Sequence, residues 1–232
     1  MLTHQHERPL RSFVRRTGRL TTGQQKALDE LLPIFGVPNA PEQIDPKALF
    51  NNDQPLILEI GFGDGESLAQ MATENKNKNY LGVEVHTPGV GHLLAKIQAG
   101  ELNNVRVYPN DVIELLEQRM PENCLAGVQI YFPDPWHKKR HNKRRLLQAK
   151  FLNMLKPYLQ QQAVIHIATD WEAYAEHCEE VFNQDNDFIK HPDYADPYQR
   201  PAHRPETKFE RRGIKLGHVV NDLLYIYIND NQ

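Results

Sequence analysis

From about residue 55 to the end of the chain, short apolar runs rich in Val, Ile and Leu alternate with stretches in which apolar residues recur every three or four positions. The first pattern suits buried strands and the second amphipathic helices, so the alternation predicts βαβ units and a mostly parallel sheet with helices on both faces. Strands are expected at 55–60, 80–84, 105–108, 127–132, 163–168 and 223–228, and helices at 66–74, 89–99, 112–119, 145–155 and 171–182. Gly or Pro stands near several of these helix ends, where helices stop. Upstream, 24–32 has helical spacing and runs into a Pro-rich connection, while Pro192, Pro197, Pro201 and Pro205 predict an irregular loop over 190–206. The expected division is a basic arm and lead-in helix over 1–50, followed by one α/β domain over 51–232.

Composition adds constraints. With 232 residues, 40% of them hydrophobic and 25% charged, the chain can bury one substantial core. It has no apolar run approaching the roughly 18 residues of a membrane span and no secretory leader, and the arginines of residues 1–20 lie in a segment too poor in Ser for a transit peptide. A cytoplasmic protein without membrane contact is therefore expected. Cys124 and Cys178 stand far apart, which suggests neither a zinc site nor a disulfide framework. Net charge is -3, yet residues 1–20, 137–145 and 200–215 carry 17 of the 27 basic residues and only 3 of the 30 acidic ones. An acidic body with basic segments suits a protein that meets a polyphosphate at one surface.

Candidate chemistry starts at Leu56-Ile-Leu-Glu-Ile-Gly-Phe-Gly-Asp-Gly-Glu-Ser67, a strand that runs into a turn at Gly61, Gly63 and Gly65 and then a helix. Glycines there let the backbone approach a ligand at the carboxyl end of the sheet. Glu84 ends the next strand, 19 residues after Gly65, where a Rossmann-like fold places the acid that binds ribose hydroxyls. The spacing is GxGxG rather than GxGxxG, and Glu59 just before it would repel a pyrophosphate but attract ammonium and sulfonium groups. The segment thereby resembles the class I S-adenosylmethionine-dependent methyltransferases, whose third cofactor acid stands where Asn110-Asp111 stands here. Asp111 is equally well placed as a helix N-cap, and the two roles are compatible.

The stretch Tyr131-Phe-Pro-Asp-Pro-Trp-His-Lys-Lys-Arg-His-Asn-Lys-Arg-Arg145 is the most informative. Pro133 and Pro135 lock the backbone on both sides of Asp134, at the end of a central strand and beside the expected methyl donor. Trp136 can stack on a base or cover the core. The six Lys/Arg that follow fit phosphate contacts, and His137 and His141 among so many cations do not suit a metal.

Together with Arg11-Ser-Phe-Val-Arg-Arg-Thr-Gly-Arg-Leu20, Ala168-Thr-Asp-Trp171 and Arg204-Pro-Glu-Thr-Lys-Phe-Glu-Arg-Arg-Gly213, this stretch resembles the tRNA (guanine-N(7)-)-methyltransferase family over nearly the whole chain. The resemblance implies a single Rossmann-like class I domain with a seven-stranded sheet and S-adenosylmethionine as cofactor. It implies tRNA as the partner, with no metal and no obligatory protein partner, and the variable-loop guanine at position 46 as target. It places Glu59, Gly61, Gly63, Gly65, Glu84, Asp111 and Asp134 at the cofactor, with Asp134 also catalytic. Lys138, Asp170, Thr207, Lys208, Phe209 and Glu210 are implied at the substrate, and Arg140, His141, Asn142, Lys143, Arg144 and Arg145 at RNA. Glu210 is expected to read the N1 and N2 protons of the guanine, and Asp134 and Asp170 to hold the base and face its developing charge. An adenine amino-methyltransferase has an acidic-Pro-Pro-aromatic loop at this place and no counterpart of Thr207-Lys-Phe-Glu210. An RNA-binding module without catalysis would not require the four acids Glu59, Glu84, Asp111 and Asp134.

Overall fold

The computed structural model describes residues 18–229, so most of the expected basic arm lies outside the described residues. Seven strands form one sheet: β1 (Leu56–Ile60), β2 (Asn79–Val83), β3 (Val105–Tyr108), β4 (Leu125–Tyr131), β5 (Leu159–Thr169), β6 (Phe188–Lys190) and β7 (Asn221–Tyr227). Their order is β3-β2-β1-β4-β5-β7-β6, and only β7 runs antiparallel to its neighbours. β1 and β2 are buried at every position, as central parallel strands covered on both faces must be. Helices α1 (Thr22–Phe35), α3 (Glu66–Glu74) and α4 (Thr87–Ala99) cover one face, whereas α2 (Pro46–Phe50), α5 (Val112–Gln118), α6 (Ala149–Leu155) and α7 (Glu172–Asn183) cover the other. A last helix, α8 (Lys208–Lys215), precedes β7. No helix among the described residues is long and apolar enough to cross a membrane.

Local chemistry explains these boundaries. Thr21 and Gln24 form a capping box that starts α1, and the Gln24 side-chain amide donates to the Pro88 carbonyl at 3.2 Å, tying α1 to α4. Asp45 caps α2, with Pro46 at its first position. The helix expected over 145–155 begins only at Ala149, because 139–144 form a 3-10 helix and Arg145 turns inward at an extended ψ of 134°. The six expected strands are present, β3 with the expected ends and the others with ends shifted by at most four residues, and β6, whose first residue alone is buried, completes the edge.

Candidate active site

The sheet delivers its functional residues at the carboxyl ends of β1 to β5. After Ile60 the chain turns through Gly61, Gly63 and Gly65 at φ of 76°, 62° and 70°, a region that glycine enters without steric cost. Around Gly61 no described residue lies within 4 Å of where a Cβ would stand, so the turn presents bare backbone there. The Gly63 N–H donates to Glu84 Oε2 at 2.9 Å, while Glu84 Oε1 accepts from the amides of Val85 and His86 at 2.7 and 2.9 Å. Glu84 thus clamps the turn to the end of β2 with its carboxylate held in one orientation.

Gly89, in the first turn of α4, was not singled out by the sequence pattern, yet a Cβ there would fall 1.9 Å from the Gly63 carbonyl oxygen. Backbone cannot yield as a flexible side chain does. Gly89→Ala is therefore expected to push α4 off the glycine turn, at a cost of about 1–3 kcal/mol, and to weaken cofactor binding with it. Denaturant melts and calorimetric titration with S-adenosylhomocysteine check both effects.

Glu59 is 1% exposed on β1. Its Oε1 receives a long 3.5 Å contact from the Ser67 hydroxyl, and its Oε2 has no hydrogen-bond partner among the described residues. Burial, reinforced by the nearby Glu84 charge, pushes its pKa up to about 8. A cavity of about 190 Å³ opens onto it, walled by Gly61, Gly63, Ser67, Phe132 and Thr207. A buried carboxyl oxygen without a partner, beside bare glycine backbone, fits the ammonium and methionine portion of S-adenosylmethionine. Asp111 caps α5 by accepting from the Ile113 amide at 3.0 Å, so the capping role is present whatever else Asp111 does.

Beyond β4 the backbone takes a left-handed conformation twice, at Phe132 (φ 50°) and Trp136 (φ 49°), on either side of Pro133-Asp-Pro135. The Phe132 amide donates to the Ala168 carbonyl at 2.7 Å, and Arg145 Nε donates to the Pro135 carbonyl at 3.0 Å. These bonds pin both ends of the turn, and Asp134 stands exposed between them. Arg145, expected at RNA, is instead only 5% exposed and packs its guanidinium 5.3 Å over the Tyr174 ring, so it belongs to the scaffold of the turn. Arg140, Lys143 and Arg144 are exposed, and His141 and Asn142 are half-buried. Desolvation, and then the charges of Arg144, Arg140, Lys138 and Lys143, hold His141 below its ordinary pKa. Trp136 neither enters the core nor stands clear: the Arg144 guanidinium lies 5.1 Å over its ring and His141 meets it edge-on at 6.0 Å.

Asp170 ends β5 and accepts from His218 Nδ1 at 3.2 Å when that nitrogen carries the proton. Beside it, Trp171, Tyr198 and His218 line a cavity of about 650 Å³, and His137, just beyond the Asp134 turn, packs against Trp171 at 4.1 Å. Thr207 and Glu210 form a capping box at the start of α8. Glu210, expected at the guanine edge, is 4% exposed and paired with Arg204 at 2.6 and 3.1 Å, so its carboxylate is committed inside the protein. The side chains of Lys208 and Phe209 lie outside what is described. The site thus gathers Glu59, the glycine turn and Thr207 around one cavity, with Glu84 bonded to the turn from the end of β2, Asp134 on the turn after β4 and Asp170 just after β5.

A sheet of this order, with a glycine turn and a clamped acid at its switch point, defines a class I, Rossmann-like methyltransferase. Residues 53–223 match the family model described as "Putative methyltransferase". The chain is 51% identical to the tRNA (guanine-N(7)-)-methyltransferase of Alcanivorax borkumensis, over 94% of this chain and 91% of that one. It is 48% identical to the one of Aeromonas hydrophila, over 96% and 94%. The chain belongs to the tRNA (guanine-N(7)-)-methyltransferase family. Among solved structures, the 16S rRNA methyltransferase KamB has the same fold at a TM-score of 0.57 and 15% identity, covering 81% of this chain and 96% of that one. The 16S rRNA (adenine(1408)-N(1))-methyltransferase of Catenulisporales acidiphilia, solved with its cosubstrate SAM, matches at a TM-score of 0.52 and 16% identity, over 82% and 94%.

Proposed function

We infer that this chain transfers a methyl group from S-adenosylmethionine to N7 of guanine in tRNA, and we propose the variable-loop guanine at position 46 as its target. One observation carries the reading beyond family membership. The cavity under the glycine turn, with its unpartnered Glu59 oxygen, is closed on the far side by Phe132 of the catalytic turn and Thr207 of the substrate segment. Glu59 and the glycine turn would hold a donor there, in a cavity that both segments wall.

When bound, S-adenosylmethionine supplies an electrophilic methyl group on a sulfonium centre. Guanine N7 has a free lone pair and no proton, so the chain needs no general base, and its main task is alignment. Glu59 takes the ammonium group, Glu84 the ribose hydroxyls and Asp111 the adenine side. Asp134 faces the positive charge that develops on the guanine, and Asp170 and Lys138 hold the nucleotide beside it. Thr207, which lines the cavity, belongs with Lys208 and Phe209 to the segment proposed to meet the substrate. Arg140, His141, Asn142, Lys143 and Arg144 follow the RNA backbone, where clustered cations gain affinity by releasing counterions.

Methyl transfer from radiolabelled S-adenosylmethionine to unmodified tRNA transcripts tests this. A transcript with guanine in the variable loop is expected to yield N7-methylguanosine, and one with adenine there to yield none. Label in another nucleoside overturns the N7 assignment, and equal label in both transcripts overturns the position.

A further inference from the structure

Arg204 is 1% exposed and is bound on two sides at once. Its Nε and Nη2 donate to Asp222 Oδ1 and Oδ2 at 2.6 and 2.8 Å, and its Nη1 and Nη2 donate to Glu210 Oε2 and Oε1 at 2.6 and 3.1 Å. The guanidinium carbon also lies 5.9 Å from the ring centre of Tyr131 and 5.8 Å from that of Phe132, the two residues that lead into the catalytic turn. Asp222 Oδ1 is shared with His166 Nε2 at 2.7 Å, and His166 Nδ1 meets the Tyr131 hydroxyl at 3.1 Å. Burial holds His166 below its ordinary pKa, so the ring is neutral, donates from Nε2 to Asp222 and accepts at Nδ1. On the other side, Glu210 Oε2 accepts from the Thr207 amide, and the Glu210 amide donates to Thr207 Oγ1 at 3.1 Å. A continuous buried network therefore runs from the end of β4, through β5 and β7, to the cap of α8, with Arg204 at its centre.

We propose that Arg204 is a positioning residue that sets the substrate segment Thr207–Glu210 against the catalytic turn, and that Glu210 serves guanine recognition through Arg204 rather than by touching the base. This rests on the function proposed above. The physical basis is the fork of the guanidinium. Only a planar group with five donors can satisfy two carboxylates in fixed directions while lying against two aromatic rings, which a lysine ammonium cannot do. Asp222 and Glu210 share the one buried cation, Arg204, and Glu210 Oε1 also lies 3.9 Å from the exposed Arg200 guanidinium. Glu210 so engaged has no free oxygen facing solvent, yet its backbone and its bond to Thr207 fix a residue that does line the cofactor cavity.

The test uses the full chain, an unmodified tRNA transcript and a double-mutant cycle. Arg204→Lys, which keeps the charge and loses the fork, is expected to lower kcat by on the order of tenfold to a hundredfold, the effect of a small misplacement of reacting groups. Cofactor affinity, titrated with S-adenosylhomocysteine, is expected to fall by less than kcat does, because Thr207 is only one residue of the cofactor cavity's wall. Glu210→Gln is expected to lower kcat similarly, and Arg204→Lys with Glu210→Gln to cost no more than the worse single change, because both break one connection. Arg204→Gln with Glu210→Gln, a neutral pair, provides a second arm should the lysine variant fail to fold, with the same expected ceiling. Additive losses overturn the proposal, since Glu210 would then act on the base by itself, and so does wild-type kcat in Arg204→Lys. If the wild-type chain makes no N7-methylguanosine, the functional reading falls and this one with it. If the wild-type chain makes it and the cycle is additive, only this one falls.

Discussion

Asp134→Asn is expected to lower the rate of methyl transfer by about 10²- to 10³-fold while leaving the fold unchanged. The turn that presents Asp134 is held by two prolines, two left-handed residues and the bonds from Phe132 to Ala168 and from Arg145 to Pro135, so the carboxylate does not have to be gathered at the moment of reaction. As the methyl group moves, positive charge passes from sulfur to the guanine ring. A carboxylate placed about 4 Å from such a charge interacts with it by about 1 kcal/mol in bulk water and about 4 kcal/mol at an effective dielectric of about 20, and exclusion of water by the docked RNA moves the effect toward the upper value, about a thousandfold in rate. The asparagine keeps the shape and a hydrogen-bonding oxygen but loses the charge. Because Asp134 is exposed, stability is expected to change by less than about 0.5 kcal/mol. Single-turnover methyl transfer at saturating cofactor and tRNA, with a thermal melt as control, reads the effect. A rate within a few-fold of wild type would remove Asp134 from the chemistry and leave alignment alone to explain catalysis.

Residues whose role is set by their neighbours in sequence were legible; those set by the tertiary surroundings were not. The alternation of patterns located six strands and most helices because central parallel strands are buried on both faces and read as continuous apolar runs. β6 escaped because three residues with only Phe188 buried carry no period. The 3-10 helix over 139–144 was not expected because its residues are all polar and carry no hydrophobic phase. α8 was readable in principle, because Thr207 and Glu210 have the spacing of a capping box. At the site, the glycine turn and Glu84 follow from local spacing, whereas Gly89 matters only because α4 crosses the turn. Arg145 and Glu210 show the same limit. As charges in charged segments they read as surface groups, and only the positions of Pro135, Tyr174 and Arg204 show that they face inward.

Glu59 shows how burial changes a reading that sequence had in part. A carboxylate before the glycine turn suits a cationic donor, but in the free protein burial, aided by Glu84, raises its pKa from the ordinary 4.5 to about 8, so at pH 7 it is mostly neutral. A bound ammonium group requires the ionised form, and cofactor binding at neutral pH is therefore expected to release close to one proton. The sign follows from the direction of the shift. A carboxyl whose pKa is raised by folding contributes its stability below about 4.5 and loses it as pH climbs through about 8. The free protein should thus weaken over that window, while cofactor affinity strengthens and then levels off. Thermal stabilisation by S-adenosylhomocysteine should be larger at pH 8 than at pH 6. Glu59→Gln keeps the size and removes the titration: its free stability should be flat over the same window and its cofactor affinity about 10- to 100-fold weaker, the cost of losing a hydrogen bond between charged groups. Titration calorimetry in buffers of different ionisation enthalpy counts the protons. If wild type and Glu59→Gln release equal numbers and bind alike, the orphaned oxygen of Glu59 is not the ammonium site, and the donor must lie elsewhere along the turn.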